Sequence, residues 1–268
     1  MQGPIAQALA LTCVGNSYLR GEDVSGFWPE ASVFRFSKGC DFREVDGDRD
    51  TLIAADPLVW FETLRGARGL LLHTAPRPRG PGQTIPINER QSAGFVGGGP
   101  AWIIEAVGAE QSTLWQGHDR LGDRGDPQQK IWLNTYLLSA RTKLETHQRM
   151  ALADASRTLE KALREIETLA RDLAPAWSET FASARASLNA DKPDAFYYAD
   201  IADCARFSVE QRQILGAVSM GWVFGGMGSW NDMAAPEARA AEYERVSEEL
   251  FCALIDAICA LANSSFDG

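Results

Sequence analysis

The sequence contains neither the cysteine nor the histidine patterns that hold disulfide frameworks or metal ions. Its five cysteines are an odd number, and no two of them form a C-x-x-C pair. Free thiols in a reducing compartment therefore fit better than a disulfide scaffold or a zinc site. The three histidines show neither H-x-x-x-H nor H-E-x-x-H spacing, so no histidine-rich metal site is indicated and any cofactor is unknown.

Targeting and membrane segments are not indicated either. The first twenty residues carry no basic residue ahead of their apolar stretch, unlike a signal peptide, and we interpret them as a helix with Leu9 and Cys13 buried. We therefore expect a cytoplasmic protein. Residues 213–231 are uncharged and long enough to cross a bilayer, but Gly, Ser, Gln and Asn dilute their hydrophobicity and no basic flank sets an orientation.

The same segment contains no phosphate-binding motif. Residues 216–232 read GAVSMGWVFGGMGSWND, without the lysine of a P-loop. A dinucleotide-binding turn would follow a strand, whereas Ser208 and Gln211 form a capping box that predicts a helix start just before Val209. We therefore place these glycines inside or at the end of a helix.

Small residues recur every four positions along this predicted helix, at Ala217, Gly221, Gly225 and Ser229. On a helix they would form one ridge with almost no side chains, which another helix could approach closely. The partner could be a helix of the same chain, a second subunit in a homo-oligomer, or a ligand. Packing within the chain is the interpretation we favour.

The charge is unevenly distributed. The net charge is −10, and residues 1–150 hold 16 basic against 17 acidic residues, while residues 151–268 hold 10 against 19. An acidic half would repel phosphates, so we expect no nucleic-acid partner.

One segment of the near-neutral half is locally basic. Between positions 65 and 90 lie five arginines and one acidic residue, Glu89. Arginine forks recognise carboxylates and phosphates, so Arg77, Arg79 and Arg90 are candidate ligands for an anionic small molecule or an acidic partner. Alternatively, these arginines pair with the acidic half of the chain.

The hydrophobic patterns predict an α+β fold. In the first half, SVFRF, FREV, GLLLHT, AWIIEAVG, STLWQ and QKIWLNTYLL resemble strands, and we expect an antiparallel sheet within about residues 30–140. In the second half, apolar residues spaced three and four apart from Leu152 to Leu173 predict a helix, and the last helix begins near Pro236. We expect a mixed region over 1–140 and a helical region over 141–268, packed as one compact unit.

A polar loop between two predicted strands is the best catalytic candidate. Residues 117–127 contain His118, Asp119, Asp123 and Asp126, which have the chemistry for general acid–base work or metal binding. The other interpretation is an exposed hairpin whose charges are simply solvated. Neighbouring motifs are weaker: no G-x-S-x-G elbow occurs, and FVGGGP at residues 95–100 is expected to be a flexible loop or a strand bulge.

The strand that follows this loop has one polar and aromatic face. Residues alternate across a strand, so Trp132, Asn134 and Tyr136 share a side and could line a ligand cleft. The same aromatic residues could instead pack beneath the helices.

Three functions follow from these patterns. The first is a binding or assembly protein that contacts an anionic group through the arginine-rich loop. The second is a hydrolase or transferase, with or without a metal, centred on the 117–127 loop. The third is a structural homo-oligomer formed through the glycine ridge.

Overall fold

The computed structural model describes residues 1–76, 88–95, 98–143, 149–193 and 196–266. Within these residues the strands form one six-stranded sheet in the order β2-β1-β6-β5-β4-β3. The strands are β1 (Ser37–Asp46), β2 (Arg49–Ala54), β3 (Gly69–Ala75), β4 (Ala101–Val107), β5 (Gln111–Leu121) and β6 (Trp132–Lys143).

The sheet is mixed rather than purely antiparallel. All neighbouring strands run antiparallel except β1 and β6, which pair in parallel from Ser37 opposite Trp132 to Arg43 opposite Leu137. A parallel pair needs a long connection, and this one runs through β2, β3, β4 and β5. The α+β class is therefore confirmed, and the expectation of an all-antiparallel sheet is wrong at this one pair.

One predicted strand, SVFRF at residues 32–36, is wrong. Ser32–Phe34 forms a 3-10 turn, and β1 begins only at Ser37. Val33 and Phe34 are both buried, and consecutive residues of a strand point to opposite faces. The tight turn places both side chains in the core.

The C-terminal part is helical, as expected. The helices are α1 (Gly3–Leu19), α2 (Pro57–Thr63), α3 (Glu89–Ser92), α4 (Leu152–Leu173), α5 (Pro175–Ser187), α6 (Asp200–Cys204), α7 (Val209–Gly221) and α8 (Glu237–Ser264). The predicted capping box at the start of α7 is confirmed, since Ser208 Oγ accepts from Gln211 N and Gln211 Oε1 accepts from Ser208 N. None of the helices among the described residues is long and apolar enough to span a membrane.

Helix α1 lies at the centre of the fold. It is buried on every side between the sheet and α8, and its core residues belong to one cluster that includes residues of both halves of the chain. Asn16 Nδ2 donates to the Leu70 carbonyl at 2.9 Å, and its Oδ1 accepts from Leu70 N at 2.6 Å. Asn263 of α8 makes the same two bonds to Leu72. These two side-chain amides therefore pair with the backbone N–H and carbonyl groups of Leu70 and Leu72 on the edge strand β3, which would otherwise be left unpaired.

Candidate functional site

The glycine-rich segment does not form the single helical ridge that its spacing predicts. Ala217 and Gly221 lie on α7, but the helix ends at Gly221, so Gly225 and Ser229 lie beyond it. A Cβ on Gly221 would contact side chains of Leu163, Ala184 and Leu254 at 3.4–3.5 Å. The part of the ridge that exists therefore faces helices α4, α5 and α8 of the same chain.

Aromatic anchoring explains why the helix stops. Trp222 leaves the helical conformation, with φ −75° and ψ 89°, and its Nε1 donates to the Phe224 carbonyl at 3.1 Å. Both rings pack against Phe251 of α8. Burial of the two rings in non-helical backbone and the weak helix propensity of the glycines that follow both favour ending the helix here.

Of the candidate anion-binding arginines, Arg77 and Arg79 lie outside the described residues. Arg90 is on α3, and its side chain is 1% exposed. Its guanidinium pairs with Glu244 and Glu248 of α8, the latter at 3.2 Å, and donates to Asn231 Oδ1 at 2.7 Å. Arg90 thus pairs with the acidic half of the chain, as the second interpretation of these arginines expected.

The four candidate catalytic residues do not converge on one point. His118 and Asp119 are on β5 and, as successive strand residues, point to opposite faces of the sheet. Asp123 lies in the exposed turn that follows, where its Oδ1 accepts from Gly125 N at 2.8 Å. Asp126 accepts from the backbone N–H groups of Gln128 and Lys130, which lower the pKa of its carboxyl. Those two aspartates shape the turn between β5 and β6.

Asp119 instead lines a cavity of about 310 Å³, which we call the α1 cavity. It lies where β1, β4 and β6 begin, where β5 ends, and where α1 begins. The loop after α3 and the segment that follows α7 close it. Its lining includes Gln2, residues 3–5, Gln7, Ser37, residues 98–100, Trp102, Asp119, Trp132, Asn134, Tyr198 and Trp222.

A chain of amide hydrogen bonds forms the polar end of the α1 cavity. Gln7 Nε2 donates to the Val33 carbonyl at 2.9 Å and to Ser37 Oγ at 3.0 Å, and lies 3.3 Å from Asn134 Oδ1. Asn134 Nδ2 in turn donates to Asp119 Oδ1. Both amide nitrogens therefore donate within the protein.

An acceptor at the same end is left over. Gln7 is 4% exposed, and its Oε1 has no hydrogen-bond partner among the described residues. The Val33 carbonyl fixes this orientation of the amide, because a carbonyl only accepts and must face the NH2 group. An unsatisfied buried acceptor costs about 1–3 kcal/mol. This oxygen is fully buried, so a molecule inside the cavity does not reach it in this conformation.

Aromatic side chains form the remaining walls. Trp102, Trp132 and Trp222 line the interior, and Phe36, Phe95 and Tyr197 are partly exposed at the rim. Tyr198 also lines the cavity and has a φ of 68°, a left-handed conformation that costs about 1–3 kcal/mol in a residue other than glycine. Such strain concentrates at functional sites.

Tyr136 does not line the cavity, although Trp132 and Asn134 of the same strand do. Its ring is buried and stacked on Phe42 at 5.3 Å, and a Cβ on Gly117 would meet the ring at 3.2 Å. Burial raises the pKa of Tyr136 well above its ordinary value, and nearby Cys40 and Asp119 add to this effect. Of the three predicted residues on β6, Trp132 and Asn134 reach the cavity and Tyr136 supports the sheet beneath it.

Two loops of the cavity wall touch backbone to backbone. A Cβ on Gly94 would overlap the carbonyl oxygen of Gly225. Gln2, at the start of α1, joins the same two loops, because its Nε2 donates to the Ala93 carbonyl at 2.6 Å and to the Phe224 carbonyl at 3.1 Å. Gly94 and Gln2 therefore fix the wall that lies opposite the sheet.

The sequence patterns pointed to Asp119, Trp132 and Asn134 but not to Gln2 or Gln7. A usable indication for Gln7 existed: it is one of few amides in a helix that is otherwise apolar on all sides, and buried polar side chains are normally hydrogen-bonded. No group of three or more His, Cys, Asp or Glu side chains suited to a metal ion occurs in the described part of the chain.

Comparisons of this chain with models of protein families, with curated proteins and with solved structures find no match. A function must therefore be argued from the geometry and chemistry of the α1 cavity.

Proposed function

We propose that this protein binds a small organic molecule in the α1 cavity, and that the ligand carries an N–H or O–H group on an apolar or aromatic body. The single observation that carries the proposal is the α1 cavity itself, which has aromatic walls and the Asp119 carboxylate in its lining. An N–H or O–H group of the ligand would donate to this carboxylate.

The size and chemistry of the cavity support the proposal. Its volume of about 310 Å³ falls within the usual range for ligand pockets, roughly 300–1,000 Å³. Aromatic walls with a few placed polar groups are the common composition of such pockets. Here the charged group of the described lining is the Asp119 carboxylate, which accepts hydrogen bonds.

Binding is the better proposal than catalysis at residues 117–127, since Asp119 reaches the cavity whereas Asp123 and Asp126 shape the neighbouring turn. The expectation of an anionic ligand named Arg77, Arg79 and Arg90. Arg90 pairs with glutamates of α8, and the other two lie outside the described residues. None of the described residues that line the α1 cavity is Lys, Arg or His. An anion held by the arginine-rich segment is therefore a separate hypothesis, and the same experiment tests it.

Three probes of matched size test the proposal: 2-phenylethylamine, 2-phenylethanol and 3-phenylpropionate. Thermal unfolding and isothermal titration calorimetry of the full chain would measure binding. We expect the amine and the alcohol to bind and to raise the Tm, and the carboxylate to bind at least tenfold more weakly because it meets the Asp119 carboxylate.

Variants identify the site. Asp119→Asn removes a charge-assisted hydrogen bond of about 1.5–3 kcal/mol, so the amine should lose about 10- to 150-fold in affinity and the neutral alcohol much less. Asp48→Asn makes the same change in the exposed turn between β1 and β2 and should alter neither. The proposal is wrong if neither the amine nor the alcohol binds. It is also wrong if only the carboxylate binds and Arg77→Ala with Arg79→Ala abolishes that binding.

A further inference from the structure

We infer that the ligand of the α1 cavity has an elongated apolar body, as a long-chain alcohol has, and that this body extends out of the cavity across an aromatic rim formed by Phe36, Phe95 and Tyr197. This inference rests on the proposed function and adds the shape and the chemical class of the ligand.

The aromatic rim contains every exposed aromatic side chain of the described part of the chain. Phe95 is 71% exposed, Tyr197 is 53% exposed and Phe36 is 38% exposed. The other aromatic residues that the structure describes are buried or partly buried, whereas these three all line the α1 cavity. Scattered exposed apolar residues need no explanation, but their concentration at one cavity mouth is typical of a surface that a ligand covers.

Hydrogen bonds hold the backbone that carries two of these rings. The Phe36 carbonyl accepts from Trp132 N at 3.0 Å, which ties this residue to the start of β6. Phe95 N donates to the Ser92 carbonyl at 3.0 Å, and the Phe95 carbonyl accepts from Gly98 N at 2.9 Å. The two rings are therefore exposed on backbone that is itself held in place.

The third ring belongs to a tyrosine pair on strained backbone. Tyr197 and Tyr198 both line the cavity, and their ring centroids lie 4.3 Å apart. Tyr198 has a φ of 68°, a left-handed conformation that is unfavourable for a residue with a Cβ. Asp200 accepts from Ser32 N at 2.6 Å and also from Ser32 Oγ. These bonds hold the segment with the tyrosine pair against the segment that leads to Phe36.

The lining continues as one aromatic surface from the interior of the cavity to its mouth. Trp102 and Trp222 are 7% and 9% exposed, whereas the members of the aromatic rim are 38–71% exposed. A compact ligand that fills only the interior leaves the rim in water. A longer ligand also covers the rim and removes this apolar surface from water, which is favourable. A flat protein surface would cover the rim but leave the interior unfilled.

The chemistry of the lining favours an apolar body over a charged one at the rim. No Lys, Arg or His occurs among the described lining residues. Arg35 lies over the Phe36 ring, 5.3 Å from its centroid, but is not part of the lining. The hydrogen-bonding side chain of Asn134 is only 5% exposed and thus lies deeper than the rim. The polar end of the ligand therefore belongs inside the cavity, and its apolar body belongs against the rim.

The experiment measures how affinity depends on the length of the apolar body. Isothermal titration calorimetry of the full chain would compare 1-hexanol with 1-decanol, which differ by four methylene groups. A fully buried methylene group improves affinity about fourfold, and a half-covered one about twofold. We therefore expect 1-decanol to bind at least about tenfold more tightly than 1-hexanol.

Variants of the rim show where the longer chain lies. Phe95→Ser with Tyr197→Ser removes two of the three rim rings, and the ratio of the two affinities should fall below about threefold. Leu52→Ser is the matched control, because Leu52 is 50% exposed on β2 and lies outside the cavity. This control should retain the ratio of the wild-type protein. Urea unfolding should show both proteins folded, since exposed side chains contribute little to stability.

The outcomes separate this inference from the proposed function. If 2-phenylethanol binds but 1-decanol binds no more tightly than 1-hexanol, the elongated ligand is wrong and the α1 cavity is still a ligand site. A ratio that persists in the double variant also contradicts the inference, because the chain then lies elsewhere. If none of the three alcohols binds, the proposed function is wrong as well.

Light scattering tests the alternative that a second copy of this chain covers the rim. We expect one chain per particle for the wild-type protein and for the double variant. A wild-type mass of two chains that falls to one in the double variant would show that the rim is a subunit contact, and the inference would be wrong.

Discussion

Arg90 allows a sharp test, because the buried partner and the exposed partners of its ion pairs can be removed separately. The guanidinium is 1% exposed, whereas the side chains of Glu244 and Glu248 are 51% and 44% exposed. A guanidinium stays protonated in proteins, so it cannot relieve its burial by losing a proton. Removing the two negative charges should therefore cost more stability than removing the positive one.

The magnitudes follow from this asymmetry. The double variant Glu244→Gln with Glu248→Gln leaves a buried cation without a counterion, which typically costs about 3–5 kcal/mol. Because both glutamates face water, the penalty is screened, and we expect about 3 kcal/mol. Arg90→Met removes the charge and keeps most of the apolar volume, so the lost hydrogen bonds should cost about 1–2 kcal/mol.

Urea unfolding at pH 7, followed by tryptophan fluorescence, measures the free energy of unfolding of each variant. Glu242→Gln is the control, because it removes a charge from an exposed pair on the same helix, with Arg239, and should change stability by less than about 0.5 kcal/mol. The reasoning is refuted if Arg90→Met destabilises the protein as much as the double glutamate variant. If Arg90→Met instead abolished binding of an anionic ligand at unchanged stability, Arg90 would be the ligand-binding residue that the sequence suggested.

Three further predictions concern other parts of the fold. Gly221→Leu should lower the free energy of unfolding by about 1–3 kcal/mol, because the new side chain overpacks against Leu163 and Leu254. Light scattering should show that the mass of the protein in solution is unchanged. A changed mass with intact stability would show that this helix face is a subunit contact. Burial disfavours the charged form of Glu167, but hydrogen bonds from Arg185 and Arg171 outweigh it and lower its pKa below the ordinary value of 4.5. The contribution of Glu167 to stability should thus be present above pH 4.5 and lost as the pH falls through its folded-state pKa. Urea unfolding at several pH values should show that the stability of Glu167→Gln depends less on pH in this acid range. An identical pH dependence in the variant would contradict this prediction. Iodoacetamide should label exposed Cys252 in the folded protein, and buried Cys13, whose pKa burial raises to about 12, only after unfolding, as mass spectrometry would show; early labelling of Cys13 would refute the burial pattern.

Local patterns were sufficient to predict most elements of the fold. Helix α4 coincides with the predicted apolar stripe from Leu152 to Leu173, and Asp56 caps α2 by accepting from Val59 N at 2.9 Å. These features depend on neighbouring residues. The parallel pairing of β1 with β6 depends on strands about ninety residues apart, and no local pattern encodes which strands become neighbours.

The end of α7 shows a second limit of pattern reasoning. The four-residue spacing from Ala217 to Ser229 is compatible with one helix, yet the chain leaves the helix after Gly221 because Trp222 and Phe224 pack on Phe251. Burial of the aromatic rings and the low helix propensity of the glycines act together, and a four-residue spacing reveals neither.

The α1 cavity was predictable in part. Strand alternation placed Trp132 and Asn134 on one face, and the register of β5 against β6 puts Asp119 directly opposite Asn134. Gln7 joins this pair from the other end of the chain, because α1 docks against β3, β4 and β5 and brings its side chain to Asn134. That docking comes from the packing of the whole core, so the sequence alone could indicate the sheet side of the cavity and not its helix side.

A crystal structure of the full chain with bound 2-phenylethylamine tests the central claim most directly. We expect the ligand inside the α1 cavity, with its ammonium group within hydrogen-bonding distance of the Asp119 carboxylate. A ligand located outside this cavity would contradict the proposal.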